Sequence, residues 1–298
     1  MREDHDQNLK NAFLDFPKEA LELLFPEALE AFGKIRRVDF PRQEPKKRRL
    51  SDRGFSLDMP ILFEFERRQL LLWLVEFQED KNKFSIYKVL HYATDMAEAH
   101  PQALVVPVVL FTDRKRWRKD VKRQLDFRMG HRVFLHFEYL FVKLFDYDAR
   151  DYFHSKNPLV KILLPKMRYP AEMRVEVIVR AYQGLFELTS AALFEKYVDF
   201  IDVYADVRQE ERDEILRSLE ERKETVMLAE YIKDKGRREG IEMAHEAVLE
   251  GLDAKFGSVP VEVAEIVNGT TDLTELKTML KQGFLANSLA DFIKAVKN

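Results

Sequence analysis

The chain of 298 residues contains no cysteine. This absence excludes disulfide bonds, thiol catalysis and zinc sites built from cysteine. Two glycine-rich patterns, GxxxxGK(S/T) and GxGxxG, are also missing. Their absence argues against a P-loop and against a Rossmann-type nucleotide site.

Long apolar runs are absent as well. No stretch reaches the roughly 18 consecutive apolar residues that a transmembrane helix needs. The first ten residues, "MREDHDQNLK", are polar and lack the apolar core of a signal peptide. With 46% hydrophobic residues, the chain can nevertheless build a substantial core. We therefore predict a soluble cytoplasmic protein that has no membrane partner.

The formal net charge of −3 conceals two basic segments. Residues 34–53 carry nine basic and three acidic side chains, and residues 113–123 carry seven basic and two acidic ones. Such clusters bind phosphate backbones, although a solvated loop gives the same composition. The predicted nucleic-acid-binding residues are Lys46, Lys47, Arg48, Arg49, Arg53, Arg116 and Arg118. Trp117, between the last two, either stacks on a base or covers the sheet edge.

Apolar periodicity predicts an α/β first half followed by a helical second half. In the first half we expect one kinked helix or two helices, then three strands, a helix, a strand and one further strand. Their predicted ranges are 8–24, 35–40, 55–65, 70–78, 83–99, 103–112 and 132–145. The second half includes one long charged helix over 210–256. The predicted domains are 1–168 and 169–298.

The segment "LLWLVEFQED", residues 71–80, places polar side chains at the end of the most hydrophobic strand. Glu76 and Gln78 are two residues apart and therefore share one face of the strand. If the preceding hairpin turns at Arg67, paired positions sum to 134, and Asp58 lies opposite Glu76. A shift by one residue would move Asp58 to the other face. The alternative interpretation is an ordinary strand end that meets water.

Two adjacent carboxylates repel each other unless a cation lies between them. A hard divalent ion with oxygen ligands, such as Mg²⁺, satisfies Asp58 and Glu76 together and leaves positions for water and phosphate oxygens. Such an ion can activate a water molecule for phosphodiester hydrolysis.

Several stretches resemble a known family. They include "DRGFSLDMPILFEF", "LLWLVEFQEDKNKF", "YKVLHYATDMAEAHP" and "ALVVPVVLFTD". Together they resemble the recombination-promoting nuclease/transposase (Rpn) family of the PD-(D/E)xK nuclease superfamily. The resemblance implies an α/β fold, with a PD-(D/E)xK nuclease-like αβββαβ core in residues 1–168 and a C-terminal helical region in residues 169–298.

The resemblance also implies roles for individual residues. Asp58 and Glu76 would be the ligands of Mg²⁺ or Mn²⁺, and the catalytic set would be Asp58, Glu76, Gln78 and Lys88. Gln78 stands where the superfamily usually has lysine, so its amide would orient water or bond a phosphate oxygen. Lys88, on the following helix, would replace the missing cation. Glu19 or Glu22 would add a further carboxylate from the first helix.

The function implied is a Mg²⁺-dependent endodeoxyribonuclease, a hydrolase of phosphodiester bonds whose partner is DNA and whose family name links it to recombination and transposition. The alternative is a catalytically degenerate nuclease fold that acts as a DNA-binding or protein-interaction module. The charged C-terminal helices allow self-association into a homo-oligomer, although a free solvated helix has the same pattern.

Overall fold

The computed structural model describes residues 2–41, 59–221 and 225–296. The chain divides into two units, Met1–Ile215 and Leu216–Asn298. The first unit is a mixed α/β unit, and its described strands form a five-stranded sheet and a separate two-stranded sheet. The strands are β1 (Ile35–Asp39), β2 (Met59–Phe65), β3 (Leu70–Gln78), β4 (Leu104–Phe111), β5 (Gln124–Met129), β6 (Arg132–Glu138) and β7 (Leu140–Lys143).

Four α-helices of the described residues precede β4. They are α1 (Arg2–Asp15), α2 (Pro17–Leu24), α3 (Pro26–Phe32) and α4 (Ile86–Ala99). In the described residues the predicted order of helices, three strands, a helix and a strand is confirmed, but three α-helices rather than one or two precede β1, and α3 was not predicted. Pro17 begins α2 rather than interrupting one helix, as expected for a residue that has no backbone N–H to donate.

The large sheet has the order β1-β2-β3-β4-β7. Strands β1, β2 and β3 are antiparallel neighbours, whereas β4 runs parallel to β3 and β7 runs parallel to β4. The parallel pair β3–β4 is joined by the crossover helix α4, the usual connection of a βαβ unit. This topology makes β3 the central strand, and seven of its nine residues are buried.

Both faces of β3 are covered, which explains its continuous apolar run. On one face, Leu72 and Leu74 belong to a core cluster with Ile86, Val89 and Tyr92 of α4. The opposite face is packed by α1. There the Phe13 ring lies 6.2 Å from the Trp73 ring and 5.0 Å from the Phe77 ring.

The single strand predicted over 132–145 is wrong. Residues 132–138 form β6, which pairs with β5 in the separate hairpin, and residues 140–143 form β7 in the large sheet. Tyr139 stands between the two strands and is buried in the core cluster under α4. The apolar run over 132–145 therefore contributes one strand to each of the two sheets. Strand β5, the partner of β6, was not predicted.

Beyond residue 169, every regular element of the described residues is a helix, as expected. Before the division at Ile215 the chain forms α5 (Pro158–Leu163), α6 (Arg174–Leu188) and α7 (Ala191–Ala205), and the division falls within α8 (Gln209–Glu220). Helix α5 packs against α2, α6 and α7. The first unit therefore extends to residue 215, past the predicted boundary at 168, because these helices pack onto the helices of the first half.

In its described residues the second unit is helical. After the end of α8 it contains α9 (Val226–Phe256), α10 (Val261–Gly269), α11 (Leu273–Leu285) and α12 (Leu289–Val296). The single helix predicted over 210–256 is wrong, since α8 ends at Glu220 and α9 begins at Val226. Gly257 ends α9 with a φ of +84°, the conformation that favours glycine. Among the described residues, no helix combines the length and the apolar character required to cross a bilayer.

Candidate active site

The candidate site is centred on Glu76, near the carboxyl end of β3. Strand alternation puts Glu76 on the face of Leu72 and Leu74, which is the face covered by α4. Glu76 is only 7% exposed. A carboxylate is almost never buried to this extent without a cation or several hydrogen-bond donors around it. Glu76 is therefore a buried polar group in the otherwise apolar layer between β3 and α4.

Lys88 supplies such a cation. It lies in the first turn of α4, and its Nζ donates a hydrogen bond to Glu76 Oε1 over 2.7 Å. The Lys88 side chain is 32% exposed, whereas that of Glu76 is 9% exposed. Lys88 thus neutralises the buried carboxylate from the solvent side. The ion pair was not predicted. The family resemblance implies that Lys88 replaces the missing lysine, and that role stays a prediction.

Gln78 is two residues further along β3, on the same face as Glu76. Its Nε2 donates to the backbone oxygen of Asp80 over 2.7 Å. Asp80 in turn accepts from Asn82 N over 3.0 Å and caps the short 3₁₀ turn Lys81–Lys83. One function of Gln78 is therefore to hold the turn after β3, which leaves its carbonyl oxygen and second N–H to meet a ligand.

Tyr92 lies one turn after Lys88 on α4 and is buried. Burial, and secondarily the negative charge of Glu76, raises the pKa of Tyr92 to about 12. The phenol therefore stays protonated across the physiological range. Tyr87, on the same helix, is 47% exposed, so of these two tyrosines Tyr92 packs α4 onto the sheet.

Asp58 lies outside the described residues, and so do Lys46, Lys47, Arg48, Arg49 and Arg53. The described part of the hairpin nevertheless has the predicted register, because Met59 pairs with Val75 and Glu64 with Leu70. In every described pair between β2 and β3 the two residue numbers sum to 134, as predicted for a turn at Arg67.

No group of three or more His, Asp or Glu side chains that could hold a metal occurs in the described ranges. Glu19 lies on α2, where its backbone oxygen accepts a hydrogen bond from Asn157 Nδ2. Glu22, also on α2, is exposed. Neither is brought to Glu76 by any described contact, so their role as additional ligands stays a prediction.

Arg116 and Arg118 lie in the loop that follows β4 and line a pocket of about 430 Å³. We call this the arginine pocket; it is lined by Arg116, Trp117, Arg118, Asp120, Arg123, Phe141, Lys143 and Asp146. Its four basic and two acidic side chains give a net positive lining. The structure thus brings two predicted DNA-binding arginines together with two cations that the sequence did not single out.

Lys143, which lines this pocket, is one of the residues that the sequence did not single out. It is 6% exposed, and its Nζ donates to Lys115 O over 2.7 Å. Lys143 ends β7 and pairs with Phe111 of β4, which pairs with Gln78 of β3. A lysine at the end of a strand is the sequence signal for this position, but a single strand over 132–145 does not end at Lys143.

We compared the chain with protein-family models, curated proteins and solved structures, and none of the three comparisons gives a match.

Proposed function

We propose that the chain is a metal-dependent DNA endonuclease of the PD-(D/E)xK type, similar to the Rpn family. The observation that carries the proposal is the buried Glu76 carboxylate, paired with Lys88 over 2.7 Å on the α4 face of the central strand. A carboxylate and a lysine at the end of a buried strand are the groups that phosphodiester hydrolysis needs, to hold a metal and to balance charge on phosphate.

The residues fit a hard divalent ion that uses few protein ligands. Mg²⁺ commonly takes one or two carboxylates and keeps its other positions for water and phosphate oxygens. Glu76 provides one buried carboxylate, and the hairpin register supports Asp58 as the second, since every described pair follows the same sum. When bound, Mg²⁺ or Mn²⁺ would lower the pKa of a bound water and stabilise negative charge on phosphorus.

The side chains around Glu76 then have separate tasks. Lys88 balances the charge of Glu76 in the free protein, and its partial exposure lets the ammonium group reach a phosphate oxygen. Gln78 offers its carbonyl oxygen to a water molecule while its Nε2 stays on Asp80. Arg116 and Arg118 bind the DNA backbone without reading its sequence.

A second candidate function is supported by the same ion pair. Lys88 already neutralises Glu76 without a metal, and Gln78 cannot provide the positive charge of the usual lysine. Both features are compatible with a degenerate nuclease fold that binds DNA or protein and does not cleave. Self-association through the C-terminal helices stays a prediction, which sedimentation of the full chain measures.

Two measurements on the full chain separate the candidates. Isothermal titration with Mn²⁺ and with Mg²⁺ tests for a metal site, and nicking of supercoiled plasmid in the same buffers tests for cleavage. The nuclease proposal predicts saturable metal binding and nicking that a chelator abolishes. Saturable DNA binding without nicking in either metal would favour the binding module instead.

A further inference from the structure

We propose that the arginine pocket holds one phosphate group of a nucleic-acid backbone, at a fixed offset from Glu76, through charge alone and without stacking on a base. The identification of the anion as DNA rests on the proposed function. The binding of phosphate by the pocket does not depend on it and is measured separately below.

The charges of the pocket leave donors for a ligand. Within the described ranges, neither Arg116 nor Arg118 has an ion-pair or hydrogen-bond partner, and both are exposed. Asp120 is occupied by Arg123, at 2.7 Å. Lys143 lies 3.9 Å from Asp146. The net positive charge of the lining therefore comes from Arg116 and Arg118, whose free N–H donors suit the several oxygens of a phosphate.

Cations already cover the aromatic rings of the pocket. Lys143 Nζ lies 4.2 Å from the centre of the Trp117 ring, and Lys81 Nζ lies 4.9 Å from it. The Arg123 guanidinium lies 4.0 Å from the centre of the Phe141 ring. A base that stacked on either ring would compete with these cations. The rings therefore act to hold the cations in place, and the pocket recognises phosphate rather than a base.

Sheet register fixes the position of the pocket relative to the candidate active site. Glu76, Val109 and Phe141 form one row across β3, β4 and β7, and directly paired residues of a sheet share a face. Phe141 is thus two strand spacings from Glu76, roughly 10 Å. This distance corresponds to an axial rise of about three base pairs in B-form DNA. One DNA strand can therefore reach both sites.

The probe is inorganic phosphate, added to the full chain at constant ionic strength. The chain has two tryptophans, Trp117 in the pocket and the fully buried Trp73, so labelling with 5-fluorotryptophan gives two ¹⁹F resonances. We expect one resonance to shift saturably with phosphate and the other to stay constant. The double variant Arg116→Gln/Arg118→Gln should weaken this response by about tenfold or more.

The matched control is Lys119→Gln, an exposed cation of the same loop that does not line the pocket. It should titrate like the wild type. Both arginines are exposed and unpaired in the described residues, so the double variant should fold. Phosphate that moves neither resonance, or a double variant that titrates like the wild type, would overturn the proposal.

A second arm replaces phosphate with a short single-stranded thymidine oligonucleotide in a chelator. Backbone binding predicts that the same resonance moves at a lower oligonucleotide concentration, with an affinity that falls as salt rises. A ¹⁹F resonance that shifts with free phosphate but not with the oligonucleotide would overturn the assignment to a nucleic-acid backbone. Because this arm contains no metal, its result is independent of whether Glu76 supports cleavage.

Discussion

Replacing Lys88 with methionine isolates the ion pair at the centre of the site. The variant keeps an unbranched stem and removes the ammonium group 2.7 Å from Glu76 Oε1. At an effective dielectric of about 20, that separation corresponds to about 6 kcal/mol of attraction, whereas the cost of removing both charges from water cancels most of it. Since Lys88 is 32% exposed, water screens part of the remainder. We expect Lys88→Met to lower the free energy of unfolding by about 1–3 kcal/mol.

Chemical denaturation in the presence of a chelator measures this loss. Lys83→Met is the matched control, because Lys83 is an exposed lysine in the turn just before α4. A double-mutant cycle with Glu76→Gln then gives the coupling energy between the two side chains, which we expect to exceed about 1 kcal/mol. Additivity within about 0.5 kcal/mol, or a loss equal to that of Lys83→Met, would refute the view that Lys88 stabilises the buried carboxylate.

Two further predictions concern the frame around the site. A Cβ at position 184 would lie 2.5 Å from Lys161 Cε, so we expect Gly184→Ala to cost about 1–3 kcal/mol in denaturation; Gly236→Ala, whose Cβ meets nothing within 4 Å, is the control, and equal responses would contradict the prediction. The hydrogen bond from Arg150 lowers the pKa of Asp148 from 3.8 to about 2, so its contribution to stability is full above pH 3.8 and is lost as the pH falls through about 2. Asp148→Asn should therefore flatten the acid limb of a stability–pH profile, and an unchanged limb would rule out this contribution.

The central hairpin could be predicted because its signals are local. The polar turn around Arg67 sets the pairing sum, and alternation then assigns each side chain to a face. Strand β3 has the predicted bounds, 70–78, and its described pairs with β2 have the predicted register. Pro60 has no backbone N–H to donate, which favours a position at an edge or a bulge. It pairs with Leu74 of β3 on one side. On its other side the described pairing of β2 with β1 ends at Leu62, so Pro60 has no described partner in β1.

Other features depend on tertiary packing and left no local signal. The apolar run over 132–145 is continuous, and only the requirement to serve two sheets divides it at Tyr139. The break between α8 and α9 interrupts a charge pattern that has no glycine or proline to mark it. The Lys88–Glu76 contact needed the crossover of α4 over β3, which periodicity alone does not orient.

Nicking of supercoiled plasmid by Glu76→Gln, in Mg²⁺ and in Mn²⁺, tests whether Glu76 holds a catalytic metal ion. The variant keeps the size of the side chain and removes the charge that would hold the ion. Thermal melting in a chelator establishes that the variant is folded. We expect a folded Glu76→Gln protein to lose metal-dependent nicking while the wild type nicks in at least one of the two metals. A folded Glu76→Gln protein that nicks at the wild-type rate would contradict it.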